Sequence, residues 1–218
     1  IETLDNWPMS ELVTGYTLTK ELSCNWKIFW ENYNECLHCP GIHPQLCETV
    51  PVYGRGYMAP EEAPDWSADT ASPQPPLRAG ARTWSVSGQP CGPEFTRLNE
   101  AERHAGQTFV TMLPTMYVTA HVDYVRAVTL RPLGPERTEL TARWLFLPAT
   151  LAAAQFDLDD VVRFAETVIA EDGEACEMNQ RGIKSERYQA GTLMPQEYLL
   201  HRFHQWVRRE LGELEQGG

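Results

Sequence analysis

At 218 residues, 42% apolar and 22% charged, the chain has the composition of one globular domain with a single substantial core. Its net charge of −12 argues against a nucleic-acid partner, because phosphate binding needs a basic surface. No apolar run approaches the roughly 20 residues of a membrane helix, and no leader of charged then apolar residues opens the chain, so a cytoplasmic location with no membrane partner is expected.

The start at Ile1 without an initiator methionine suggests a fragment or a processed product. Residues 1–15 read as a loop continuing from an upstream domain, and Tyr16–Leu22 alternates like a strand. From Asn25 the sequence N-W-K-I-F-W-E-N-Y-N-E-C-L-H-C-P-G-I-H-P reads as a helix up to Pro40. The three-residue step from Glu35 to His38 would put both on one helix face. Pro40-Gly41 should end or kink that helix and swing His43 back toward His38. Two imidazoles and a carboxylate so close together can present ligands to a divalent metal. Cys36-x2-Cys39 has the spacing of half a zinc knuckle, but no second C-x2-C follows, which argues against a zinc site. Six cysteines make no disulfide framework, and Cys24, Cys47, Cys91 and Cys176 read as reduced, partly buried thiols.

From Pro51 to about Pro93 the chain is rich in Pro, Gly, Ser and Asp, including Ala63-Pro-Asp and Pro73-Gln-Pro-Pro. Such a long irregular excursion often covers a site in an enzyme. Strand candidates follow at Thr108–Leu113, Met116–His121, Tyr124–Leu130 and Thr138–Leu147, with Pro132–Arg137 as a hairpin turn, and imply an antiparallel meander. Helical spacing then appears at Val161, Phe164, Ala165, Val168 and Ile169 behind Asp159-Asp160, and again at Leu200, Phe203, Val207, Leu211 and Leu214. The predicted class is α+β, a curved antiparallel sheet packed on a long C-terminal helix. His201 and His204 read as surface residues of the last helix, His104 as a loop residue and His121 as a strand residue.

A carboxylate for the metal has four candidates in the second half: Glu171, Asp172, Glu174 and Glu177. On a helix that continues through Gly173, Asp172 falls near the centre of the apolar stripe begun by Val161 and Glu171 at its edge. Glu174 and Glu177 point largely away. A carboxylate inside a buried stripe is costly unless it is paired or binds metal.

The run N-W-K, E-N-Y, E-C-x-H-C and H-P, with Gln180-Arg-Gly182 after Asp172, resembles the iron-site segments of Rieske non-haem iron oxygenase large subunits. That resemblance implies a helix-grip catalytic domain holding one Fe(II) through His38, His43 and Asp172, with Glu35 at the acidic bridging position. It implies dioxygen and a small-molecule substrate, a homotrimer, and an NAD(P)H-dependent reductase or ferredoxin as electron donor. Electrons would pass through a [2Fe–2S] cluster in a neighbouring subunit. The cluster needs C-x-H and C-x2-H; the second occurs nowhere here. Residues 1–218 are therefore expected to be a single mononuclear-iron domain, with the N-terminal Rieske domain outside the chain. The E-C-x-H-C context resembles the branch that oxidises carnitine, choline or betaines; aromatic-ring hydroxylation is the alternative. Two other classes stay open, a metal-free helix-grip ligand carrier and a zinc hydrolase built on the same ligands.

Overall fold

Runs of β-branched and aromatic residues pair into one five-stranded antiparallel sheet, in the order β1-β5-β4-β3-β2. The strands are β1 (Val13–Leu22), β2 (Gln107–Met112), β3 (Met116–His121), β4 (Val125–Gly134) and β5 (Arg137–Phe146) in this computed structural model, which describes residues 2–63 and 76–212. The expected meander is there as β2 to β5. β1 starts earlier than its alternation suggested and closes the far edge against β5, with Leu22 opposite Thr138. β4 runs on through Pro132 to Gly134, so the hairpin is tighter than the sequence implied.

The helices are α1 (Trp26–Tyr33), α2 (Cys39–Ile42), α3 (Pro44–Thr49), α4 (Glu100–Ala105), α5 (Pro148–Leu151), α6 (Leu158–Gly182) and α7 (Tyr198–Glu210). The long helix is α6, at 25 residues, followed by a shorter α7. Side chains alternate across the sheet as its pleat requires. Tyr117, Val128, Leu140, Trp144 and Phe146 face one core with Phe29 and Trp30 of α1 and Val161, Ala165 and Ile169 of α6. On the opposite face Val118, Ala120 and Val125 pack under Leu4, Trp7, Phe95 and Leu98. Each large apolar side chain so buried contributes about 1.5–3 kcal/mol. No described helix is long and apolar enough to cross a membrane.

Three local expectations need correcting. The motif helix ends at Tyr33, well before Pro40: Asn34 turns its amide back to donate to the Trp30 carbonyl at 2.6 Å, and its backbone leaves the helical region. Pro40 then starts a helix instead of stopping one, because its missing N–H costs nothing in the first turn of α2. His104 lies in α4, where Asn99 and Glu102 form a capping box, and not in a loop. His201 and His204 are surface residues as expected, and His204, with its side chain 41% exposed, also meets Glu31 at 2.9 Å and ties α7 to α1. Leu214 and part of the Pro-rich excursion lie outside the described residues.

Asn25 joins the two helices that matter for the site. Its side-chain oxygen caps α1 by accepting from the Lys27 N–H at 3.0 Å, and its own backbone N–H donates to Gln180 Oε1 on α6 at 2.8 Å. Its amide also donates to the Pro135 carbonyl at 2.7 Å. Asn25→Ala should therefore lower stability by about 1–2 kcal/mol in urea denaturation. A loss no larger than that of an exposed surface substitution would show that the cap contributes nothing here.

Candidate metal centre

His38 stands just before α2, and His43 ends α2 and begins α3, so one short stretch of chain delivers both imidazoles. Asp172 comes from the middle of α6, which does run through Gly173. Its Oδ1 lies 2.9 Å from His43 Nε2 and 3.5 Å from His38 Nε2. The two rings stand 5.2 Å apart at 75°. Each imidazole has its other nitrogen held by an acid: His38 Nδ1 meets Glu35 Oε1, and His43 Nδ1 meets Glu171 Oε2 at 2.7 Å. Those contacts put a hydrogen on each Nδ1 and turn both Nε2 atoms toward Asp172. Asn32 Nδ2 donates to the same Oδ1 at 2.7 Å and fixes the carboxylate.

The electrostatics ask for a cation at this point. Burial opposes a charged His38, yet hydrogen bonds to Asp172 and Glu35 outweigh it and raise its pKa to about 9. His43 is raised as well, against burial, by Asp172 and then by Glu171. Burial would raise the Asp172 carboxyl, but the two imidazoles hold it below its usual value. Two Nε2 atoms and a carboxylate oxygen converging on one point form a donor set suited to a divalent first-row metal. Cys39 Sγ is also near, 3.8 Å from His38 Nε2, within a group whose ligand atoms fall inside 4.8 Å. That sulfur is bonded to Cys36 in a disulfide, so it brings no thiolate to a metal. The half zinc knuckle suggested by the cysteine spacing is thus a closed disulfide, while Cys24, Cys47, Cys91 and Cys176 are free.

The other acidic candidates lie where the helix wheel put them. Glu174 is exposed, Glu171 is half-buried, and Glu177 turns to accept the Ser23 N–H at 2.9 Å. Sequence reasoning did not foresee that Glu171 backs His43, nor that Asn32 holds Asp172; the signal for Asn32 was its place in the E-N-Y triplet. It also missed the cavity beside the two imidazoles and Asp172, formed by Tyr33, Phe109 and Arg126 with Tyr53, Met58 and Trp84. The last three come from the irregular excursion after Pro51, which covers the site as expected; residues 64–75 of it lie outside the described residues.

The model of the ring-hydroxylating alpha-subunit catalytic domain matches residues 9–213. The chain belongs to that family. Among family relatives, the glycine betaine monooxygenase oxygenase subunit of Chromohalobacter salexigens is 26% identical over 192 residues, covering 77% of this chain and 42% of the relative. The chloroplastic choline monooxygenase of Arabidopsis thaliana is 25% identical over 190 residues, covering 84% of this chain and 38% of the relative. The chain thus spans less than half the length of these two relatives. A crystal structure of the quaternary ammonium Rieske monooxygenase CntA superposes with a TM-score of 0.63 at 18% identity, covering 95% of this chain and 52% of that one. The fold is therefore the helix-grip arrangement of this family's catalytic domain.

Two outcomes follow for a family member with this geometry. In metal-loading experiments Asp172→Ala should remove nearly all bound metal, whereas Glu171→Gln should weaken affinity by about 10–100-fold; full occupancy in the Asp172 variant would exclude it as a ligand. The raised His38 pKa also sets a pH dependence. In the metal-free protein its stabilising contacts are fully present below the ordinary value near 6.5 and are lost as pH rises through about 9. A metal must displace that proton, so apparent affinity should climb about tenfold per pH unit across this window. Metal titrations at several pH values check the slope; a flat profile would mean that His38 is already neutral.

Proposed function

We propose that this chain is the mononuclear-iron catalytic domain of a Rieske-type oxygenase that hydroxylates or oxidatively demethylates a small quaternary ammonium compound. The observation that carries the reading is the convergence of His38 Nε2 and His43 Nε2 on Asp172 Oδ1, beside a cavity walled by Tyr33, Phe109 and Trp84. His38, His43 and Asp172 would hold Fe(II), which when bound supplies open coordination positions for dioxygen next to the substrate. Glu35 and Glu171 keep the Nδ1 hydrogens and so direct both Nε2 lone pairs inward. Asn32 restrains the carboxylate, and Tyr53 and Met58 from the covering excursion exclude water. Aromatic faces attract a quaternary ammonium group once it is desolvated.

In this reading the [2Fe–2S] cluster belongs to a Rieske domain outside residues 1–218, carried by a neighbouring subunit of a homotrimer and reduced by a reductase or ferredoxin. Glu35 is assigned as the bridging acid, since it holds His38 Nδ1 and also accepts the Leu37 N–H.

Full-length protein with its reductase should release formaldehyde from an N-methylated substrate such as glycine betaine. Turnover of an aromatic hydrocarbon with none of the ammonium compounds would move the assignment to ring hydroxylation. Glu35→Gln in the full-length protein should keep metal and substrate binding nearly intact and lose turnover, because the charged acceptor between cluster and metal ligand is gone. Rapid mixing should then leave the cluster reduced; loss of metal would make Glu35 a ligand, and normal reoxidation a bystander.

A further inference from the structure

The floor of the cavity carries a charge that the metal centre does not use. Arg126 on β4 points to the α6 side of the sheet, as its strand neighbour Val128 does, and lies 4% exposed among aromatic rings. Burying a guanidinium costs several kcal/mol unless an anion or several acceptors compensate. No carboxylate among the described residues pairs with Arg126; the phenol of Tyr33 is its side-chain neighbour. Its Nε is buried without a hydrogen-bond partner, and two other atoms of the same cavity wall are in the same condition, Trp84 Nε1 and Gln107 Oε1. Natural proteins leave few such groups unmet, and those that remain call for an explanation. Two are N–H donors, and an amide of Gln107 can present its NH2 by rotation. Donors with no acceptor around a buried cation describe an anion site.

The same cavity also carries negative charge. Asp172 lies there with Glu35 and Glu171 behind the histidines. Tyr33 and Tyr117, stacked at 3.4 Å, each lie within reach of both the Arg126 and the Asp172 charge. The void opens to solvent, and its lining includes both Arg126 and Asp172.

We infer that Arg126 is a specificity-determining residue that binds the carboxylate of a zwitterionic substrate, with Trp84 Nε1–H and the Gln107 amide as further donors. A trimethylammonium group on the same molecule then meets the aromatic walls and the negative charge of Asp172. The ligand class is a betaine and not an amino alcohol: choline has no anionic group to pair with Arg126, only a neutral hydroxyl acceptor, and its positive charge is repelled there. This inference rests on the oxygenase reading above only for which end of the substrate faces the metal.

The test is calorimetric titration of the full-length, metal-loaded protein under anaerobic conditions with three probes: glycine betaine, choline, and 3,3-dimethylbutyrate, which keeps the shape and carboxylate of glycine betaine without the cation. Glycine betaine should bind at least about tenfold more tightly than choline, the worth of one charge-assisted pair. Arg126→Gln should remove that preference by weakening glycine betaine while leaving choline unchanged or improved, and Arg126→Lys should restore part of it. A mere packing role would weaken both ligands together in both variants. Equal affinity for glycine betaine and choline in the unaltered protein, or parallel losses in Arg126→Gln, overturns the inference. Arg126-dependent binding of 3,3-dimethylbutyrate without binding of either ammonium compound upholds the carboxylate site and instead sinks the quaternary ammonium substrate.

Discussion

A single carboxylate oxygen, Asp172 Oδ1, sets the terms for the rest of this structure. It is buried inside a helix and accepts from Asn32 while facing the Nε2 atoms of His43 and His38. A charge there is tolerable only if neighbouring groups replace the water it has lost. Those groups come from two separate pieces of backbone, α1 and the segment around α2, and the carboxylate itself from a third, α6. The apolar core brings the pieces close, but the carboxylate decides how they must be oriented. Even the residues flanking the site serve this purpose, since Gln180 of α6 grips the backbone of Asn25 at the start of α1.

Much of this arrangement was legible in the chain because two periods are strong. The strand alternation of Met116–His121 and Thr138–Leu147 located β3 and β5, and the helical stripe from Val161 put Asp172, and not Glu174 or Glu177, on the inner face. The motifs N-W-K and Q-R-G also proved to be physically linked, the asparagine of one bonded to the glutamine of the other. What failed was local. A proline was read as a stop when it stood in a first turn, where it is a start, and an asparagine four residues after Trp30 closed the helix early by a bond no periodicity reveals. The contact of Glu35 with His38 was right in partner and wrong in cause, a turn and not a helix face.

The cavity was harder to read because its wall is made by residues far apart in sequence. Tyr53, Trp84, Gln107 and Arg126 belong to a short 3-10 turn, a loop and two strands, and meet only in the folded chain. On paper Arg126 is one more cation in a strand that also contains Arg131, which is exposed and paired with Glu139. Only burial separates the two, and burial of one polar position in an alternating strand depends on what the opposite layer brings. The sheet therefore does two jobs: its apolar positions hold α6 in place, and its polar positions on the same face give the cavity its character.

The pairing of Glu171 and Asp172 on His43 has a consequence for how the chain can vary. Neighbouring residues of one helix hold opposite nitrogens of the same ring, Glu171 at Nδ1 and Asp172 at Nε2. Each residue added to an α-helix rotates everything beyond it by about 100°. Inserting or deleting one residue between the Asp157 cap and Asp172 would turn both acids off the ring together, and no side-chain substitution nearby could bring them back. The geometry of the site thus depends on the length of this stretch of α6 as well as on its composition, whereas an insertion within residues 183–194, beyond the helix, would leave both acids on the ring.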